Sequence, residues 1–264
     1  MRVIVTRPLS EARKWVDALS QAGYDALPLP LIAVSAAPDL QAVRAAWERL
    51  PRYDAVMFVS GNAVDHFFAL KGAVAHVFSA QEAIKTRAFV PGPGSYSALL
   101  RAGVEAACID APDREAGQFD SEALWAVVRA QVQPGYRVLI VRGTGSVAGP
   151  SDEGVGRDWF AGQVLAAGGT VDFVVAYQRH RPSLSAADLA LTAQAAQDGS
   201  VWLFSSSEAI TNLQALCPDQ SWGQARAVVT HARIAQAARD AGFAVVCESR
   251  PTLAALMASI ESLQ

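Results

Sequence analysis

The sequence predicts a doubly wound α/β protein built from two similar parts. Short apolar runs alternate with amphipathic stretches of helical period, the turns after those runs are small or hydroxyl-bearing, and segments of the first half return in the second. Val3-Ile4-Val5 reads as a buried strand, and Thr6-Arg7-Pro8 leads into a helix with Leu9, Ala12, Trp15, Val16 and Leu19 at helical spacing. Gly23 stands where a helix C-cap glycine belongs, and Asp25–Leu29 reads as the next strand. Further strands are expected at Ala55–Val59, Ala88–Val90, Val138–Val141, Val201–Phe204 and Ala227–Val229. Apolar faces at helical period mark helices over Ser121–Ala130, Trp159–Ala167 and Leu253–Leu263, the last with Thr252 as its N-cap. Strands alternating with helices of this length imply parallel sheets covered on both faces.

Composition bounds the class. A chain of 264 residues suggests two domains, and 52% hydrophobic against 18% charged residues is enough to give each a core. A net charge of −3 excludes a general nucleic-acid coat, which needs excess positive charge to displace counterions. Cys108, Cys217 and Cys247 lie far apart without metal-ligand spacing, so neither a disulfide framework nor a metal is expected. Cys108 and Cys247, in apolar runs, read as inert core residues. The stretch Leu27 to Pro38 is interrupted by Pro28 and Pro30, and the first apolar run is too short for a signal peptide. The expectation is a cytoplasmic protein with no membrane or nucleic-acid partner.

Three segments repeat in one order. Arg2-Val-Ile-Val-Thr-Arg7 returns as Arg137-Val-Leu-Ile-Val-Arg142, 135 residues on. Phe58-Val-Ser-Gly-Asn-Ala-Val64 returns as Phe204-Ser-Ser-Ser-Glu-Ala-Ile210, 146 on. Ala88 to Gly103 is echoed by Ala227 to Gly242, 139 on. The chain therefore reads as a duplicated open-sheet unit, which by itself suggests a tandem cut near residue 134.

Ligands of open α/β sheets bind beyond the carboxyl ends of the strands. The turns there contain Thr6-Arg7, Ser60-Gly61-Asn62, Gly92-Pro93-Gly94-Ser95, Arg142 to Ser146, Ser205-Ser206-Ser207 and Thr230-His231-Ala232-Arg233. Each is expected to open a helix, whose free N–H groups and partial positive charge suit an anion. Arg7, Arg142 and Arg233 add forked donors that match carboxylates or phosphates. Taken singly, a Ser, Thr or Asn here is equally an ordinary N-cap; taken together, the turns favour an anion-binding cleft between the two domains. The chain has no phosphate loop, no nucleophile elbow and no cluster among His66, His76, His180 and His231. Its Gly143-Thr-Gly145-Ser-Val-Ala-Gly149 run departs from the dinucleotide fingerprint, with the third glycine one place late.

The segments Val5-Thr-Arg-Pro8, Phe58 to Val64, Gly92 to Ser95, Asp120-Ser-Glu-Ala-Leu124, Leu139 to Gly143, Val175-Ala-Tyr-Gln178 and Phe204 to Ser207 together resemble the uroporphyrinogen-III synthase family, over essentially the whole chain. The resemblance implies two flavodoxin-like domains joined by a two-stranded linker. Domain 1 would combine residues 1–35 and 178–264, domain 2 would span 38–173, and the linker strands would lie at about 29–35 and 172–178. It implies a monomer without cofactor that takes hydroxymethylbilane, a linear tetrapyrrole with eight carboxylates. The family eliminates the bilane's terminal hydroxyl, inverts the last pyrrole through a spiro intermediate and closes the ring, whereas the unassisted reaction gives the uninverted isomer. Transient contact with hydroxymethylbilane synthase is a further expectation.

By the same resemblance Tyr177 would stand next to the departing hydroxyl. Thr6, Arg7, Ser60, Asn62, Gly92, Ser95, Arg142, Ser205, Ser206, His231 and Arg233 would bind substrate. Two departures touch that set: Ser95 replaces the usual threonine, and Thr230-His-Ala-Arg-Ile234 replaces a glycine–proline–x–threonine turn. A two-domain small-anion receptor, or an inactive homologue with the same cleft, is the alternative reading.

Overall fold

The computed structural model describes residues 1–70, 86–113, 119–145 and 155–263, in which strands and helices alternate. The strands are β1 (Arg2–Val5), β2 (Asp25–Pro28), β3 (Ala33–Ala36), β4 (Ala55–Phe58), β5 (Arg87–Phe89), β6 (Ile109–Asp110), β7 (Arg137–Gly145), β8 (Thr170–His180), β9 (Val201–Phe204), β10 (Arg226–Val229) and β11 (Val245–Glu248). The helices are α1 (Leu9–Gln21), α2 (Leu40–Arg49), α3 (Gly61–Phe68), α4 (Pro93–Arg101), α5 (Ser121–Val128), α6 (Val155–Ala166), α7 (Ala186–Ala195), α8 (Ser207–Leu216), α9 (Ala232–Asp240) and α10 (Leu253–Glu261). Two compact units result, Met1–Ala33 with His180–Gln264, and Val34–Arg179.

In the first unit the sheet order is β2-β1-β9-β10-β11, with every neighbouring pair parallel. Alternate residues of β1 bury on opposite faces: Val3 and Val5 pack with Leu19, Val201, Leu203 and Ile260, while Ile4 is buried on the other side. Elsewhere in that unit Trp202, Trp222, Phe204 and Phe243 form an aromatic cluster, with the Trp202 and Trp222 ring centroids 5.3 Å apart in an edge-to-face contact. Gly23 ends α1 at φ +91°, a conformation glycine adopts without a Cβ clash. Thr252 accepts a hydrogen bond from the Ala255 N–H and caps α10.

In the second unit the order is β3-β8-β7-β4-β5-β6. Val56, Phe58, Leu139 and Val141 fall in one apolar cluster, and Ala55, Met57, Val138 and Ile140 in another. That two-residue alternation on neighbouring strands is how a sheet buried on both faces reads.

The repeat now has a structural meaning. β1–β2 correspond to β7–β8, and β4–β5–β6 to β9–β10–β11. Each sheet joins the first two strands of one copy to the last three of the other: β2-β1-β9-β10-β11 in one unit, β8-β7-β4-β5-β6 in the other. The duplication is tandem in sequence, but its halves are exchanged in space.

One expectation is corrected. Arg142-Gly143-Thr144-Gly145 is not a turn; β7 continues to Gly145 because the long β8 offers it a ladder as far as Arg179. The rest of that glycine-rich run, from residue 146 to 154, lies outside the described residues, as does His76. The pairing has a bulge. Arg142 faces Val175 but Gly143 faces Tyr177, so Ala176 is the extra residue on β8.

Candidate active site

In the second unit, four parallel neighbours, β8, β7, β4 and β5, end side by side. Their carboxyl ends bring together Tyr177, Arg142, the Ser60–Asn62 turn and the Gly92–Ser95 turn. Ser60 is the N-cap of α3 and accepts from the Ala63 N–H at 3.2 Å. Its Oγ also lies 3.0 Å from the Tyr177 hydroxyl. Asn62 sits half-buried in the first turn of α3. The N-termini of α3 and α4 adjoin: a Cβ on Gly61 would lie 3.6 Å from the Gly94 carbonyl oxygen. Helix α4 begins at Gly92 with Pro93 in its first turn and no side-chain cap, so its end keeps backbone N–H groups for another acceptor. Ser95 is buried in that first turn. The Arg142 guanidinium stacks 4.5 Å over the exposed Phe173 ring.

Tyr177 is only 3% exposed. Its ring lies directly on the main chain of Gly143: a Cβ there would come within 2.3 Å of Cζ and 2.5 Å of Cε2. The His66 ring stacks beside it at 5.8 Å between centroids and 23° between planes. Burial pulls the His66 imidazole below its ordinary value, with Asp65 opposing. The sequence offered no direct signal for Gly143 or His66 as neighbours of the tyrosine. Gly143 lay in a run dismissed as a nucleotide loop, and the contact depends on the bulge.

In the first unit, β1, β9 and β10 are adjacent and parallel. Their ends gather Thr6, Arg7, Ser205, Ser206, His231 and Arg233. Thr6 is buried and its hydroxyl donates to the Leu203 carbonyl at 2.6 Å, tying β1 to β9. Arg7 lies 4.0 Å over the Trp15 ring and donates to Glu11 at 2.9 Å, while its Nε is buried without a hydrogen-bond partner. Burial pulls that guanidinium below its ordinary value, and Glu11 pulls it back. Ser205 is half-buried ahead of α8, whose N-cap Ser206 accepts from the Glu208 N–H. His231 caps α9 through Nδ1, which accepts from the Arg233 N–H at 3.1 Å, and Arg233 is exposed in the first turn. Helix α1, by contrast, has Pro8 at its N-cap and no side-chain cap. The capping role thus takes up Ser60, Ser206 and His231, and leaves α1 and α4 with uncapped N-termini.

Among the described residues no three His, Cys, Asp or Glu side chains are grouped to hold a metal ion. No helix among them is long and apolar enough to cross a membrane. The three cysteines are free and half-buried, and burial pushes the thiols of Cys108 and Cys217 up.

Fold and strand-end turns together define a doubly wound α/β protein with donors gathered at the carboxyl edge of each sheet. The structure is similar over its whole length to a uroporphyrinogen-III synthetase from Helicobacter pylori, at 14% identity and a TM-score of 0.58 across all of both chains. It is similar also to a mutant uroporphyrinogen III synthase from the extremely thermophilic bacterium Thermus thermophilus, at 15% identity and a TM-score of 0.53 over 100% of this chain and 98% of that one. These two likenesses establish the fold. The family model for uroporphyrinogen-III synthase HemD matches residues 13–258. The chain belongs to the uroporphyrinogen-III synthase family, the cyclising lyases of haem biosynthesis, which act on a small-molecule substrate.

Proposed function

We propose that the chain converts hydroxymethylbilane to uroporphyrinogen III as a cytoplasmic monomer, receiving the bilane from hydroxymethylbilane synthase by transient contact. The match of residues 13–258 to the family model carries this reading. The reaction asks little covalent chemistry of the protein. Loss of the terminal hydroxyl leaves an electrophilic carbon that one position or another of the last pyrrole can attack, so holding the chain folded decides the isomer.

Tyr177 is the acid in this reading. Ser60 accepts the Ala63 N–H, and its own proton can then go to the Tyr177 oxygen 3.0 Å away. A phenol that accepts from Ser60 directs its proton elsewhere, toward the departing oxygen, which leaves as water. The proton lost from carbon when the ring closes restores the phenol. The substrate carboxylates fall to the uncapped N-termini of α1 and α4, to Arg7 with its unpaired Nε, and to Arg142 and Arg233. Thr6, Ser206 and His231 hold those turns in shape through their backbone contacts, Ser205 and Asn62 offer side-chain donors, and Gly92 and Ser95 shape the end of α4.

The test is isomer analysis. Porphobilinogen and hydroxymethylbilane synthase generate the bilane in situ, this protein is added, and the oxidised uroporphyrins are separated. The expected outcome is a switch from type I to type III; type I alone from folded protein overturns the reading. Tyr177→Phe is expected to lower turnover by roughly 10²-fold, the lower end of general-acid contributions, with the fold intact. Unchanged turnover in that variant removes Tyr177 from the mechanism.

A further inference from the structure

We propose that Gly143 and His66 are positioning residues for Tyr177: Gly143 is the side-chain-free seat on which the tyrosine ring lies, and the His66 ring is its lateral support. The inference rests on the reading of Tyr177 as the acid and adds what fixes its hydroxyl.

The seat is geometric. The three closest atoms to a Cβ built on Gly143 all belong to the Tyr177 ring: Cζ at 2.3 Å, Cε2 at 2.5 Å and Cε1 at 2.8 Å. Near-equal distances to these three put that Cβ over the ring face at its hydroxyl end, where nothing but glycine leaves room. The register explains why the ring arrives there. Ala176 bulges out of β8, so Tyr177 rather than Ala176 comes opposite Gly143. The hydroxyl then falls 3.0 Å from Ser60, which is itself fixed by capping α3. The same helix carries His66 into its stack with the ring, 5.8 Å away. One short helix thus holds the phenol at its oxygen through Ser60 and at its ring through His66, while β7 supplies the floor.

A methyl group on Gly143 displaces the phenol from Ser60 by a distance on the order of 1 Å, a shift of the kind that lowers rates by up to about 10²-fold without touching bound substrate. The experiment is a double-mutant cycle on the full-length protein, assayed by initial rates of type III formation over a range of bilane concentrations. Gly143→Ala is expected to lower kcat about tenfold or more with KM changed less than about twofold, because the seat acts on the acid and not on the carboxylate contacts. In the Tyr177→Phe background the same change is expected to alter kcat less than about twofold, since no hydroxyl remains to be placed. His66→Ala should follow the same pattern with a smaller effect, and it carries the test if Gly143→Ala does not fold. A loss in Gly143→Ala or His66→Ala that is equally large in both backgrounds overturns the seat, and so does wild-type kcat in both single variants. The two failures are distinct. If Tyr177→Phe alone retains wild-type turnover, the acid reading falls and the positioning role with it; if Tyr177→Phe is slow but the cycle is additive, only the positioning role falls.

Discussion

Tyr53 shows how a residue outside the strand-end turns has measurable consequences. Its hydroxyl donates to Asp172 at 2.7 Å, its ring is buried, and Arg137 lies 5.5 Å over it. Burial, with Asp172 adding its hydrogen bond and charge, pushes the phenol up to about 12, and Arg49 and Arg137 oppose this. Tyr136 is likewise pushed up to about 12, by burial first and then by Asp54 and Asp110. A phenol that ionises later in the folded protein than in the unfolded chain favours folding below the unfolded value of about 10 and loses that contribution as pH rises toward 12. Stability should therefore hold to about pH 10 and fall between there and pH 12. Urea midpoints across that range check the slope, and Tyr53→Phe should make it shallower. At neutral pH that substitution should cost about 1.5–3 kcal/mol, the usual worth of a hydrogen bond to a charged group. No change in the alkaline slope would mean that Tyr53 titrates normally.

At the scale of elements, two glycines that each lie between a helix and the strand after it differ in what they forbid. Gly23 has φ +91° and open space around a would-be Cβ, so Gly23→Ala meets only backbone strain, about 1–2 kcal/mol. Gly169, between α6 and β8, has no room: its Cβ would lie 2.8 Å from the Tyr136 carbonyl oxygen and 2.8 Å from Val164 Cγ1. Gly169→Ala should therefore cost more than Gly23→Ala, in the upper part of the roughly 1–3 kcal/mol that overpacking takes, with the loss confined to the second unit. Thermal unfolding of the two variants side by side tests the order, and equal losses would refute it. The first glycine is legible in the sequence because a C-cap follows a helical pattern locally. The second is not, since its neighbours Tyr136 and Val164 come from β7's approach and from α6. The site divides in the same way. Ser60 and the other turn residues announce themselves by following apolar runs, and Tyr177 by its motif. Gly143 and His66 meet Tyr177 only because a single bulged residue at Ala176 changes which side chain faces β7.

The whole molecule poses a question that strand patterns leave open. Alternating apolar runs and a repeat identify β1 with β7, β4 with β9 and β5 with β10, yet both copies carry the same pattern, so nothing local says which half pairs with which. The central seams decide it. β1 pairs with β9 through Val3↔Val201, Ile4↔Trp202 and Val5↔Leu203, and β4 pairs with β7 from Ala55↔Val138 to Phe58↔Val141. Every one of these residues is buried. Both seams therefore join the first half of the chain to the second, and neither copy keeps a complete sheet core of its own. Separating the halves exposes two rows of apolar, hydrogen-bonding strand edge in each. A break in the chain between Gln133 and Pro134 should then give two fragments that are unstable apart but associate one-to-one when co-expressed, recovering type III synthesis. Size-exclusion chromatography and circular dichroism of fragment 1–133 alone provide the check. If that fragment is a folded monomer, β1 has found β4 in place of β9, and the exchange of halves is a preference of the intact chain and not a requirement of either sheet.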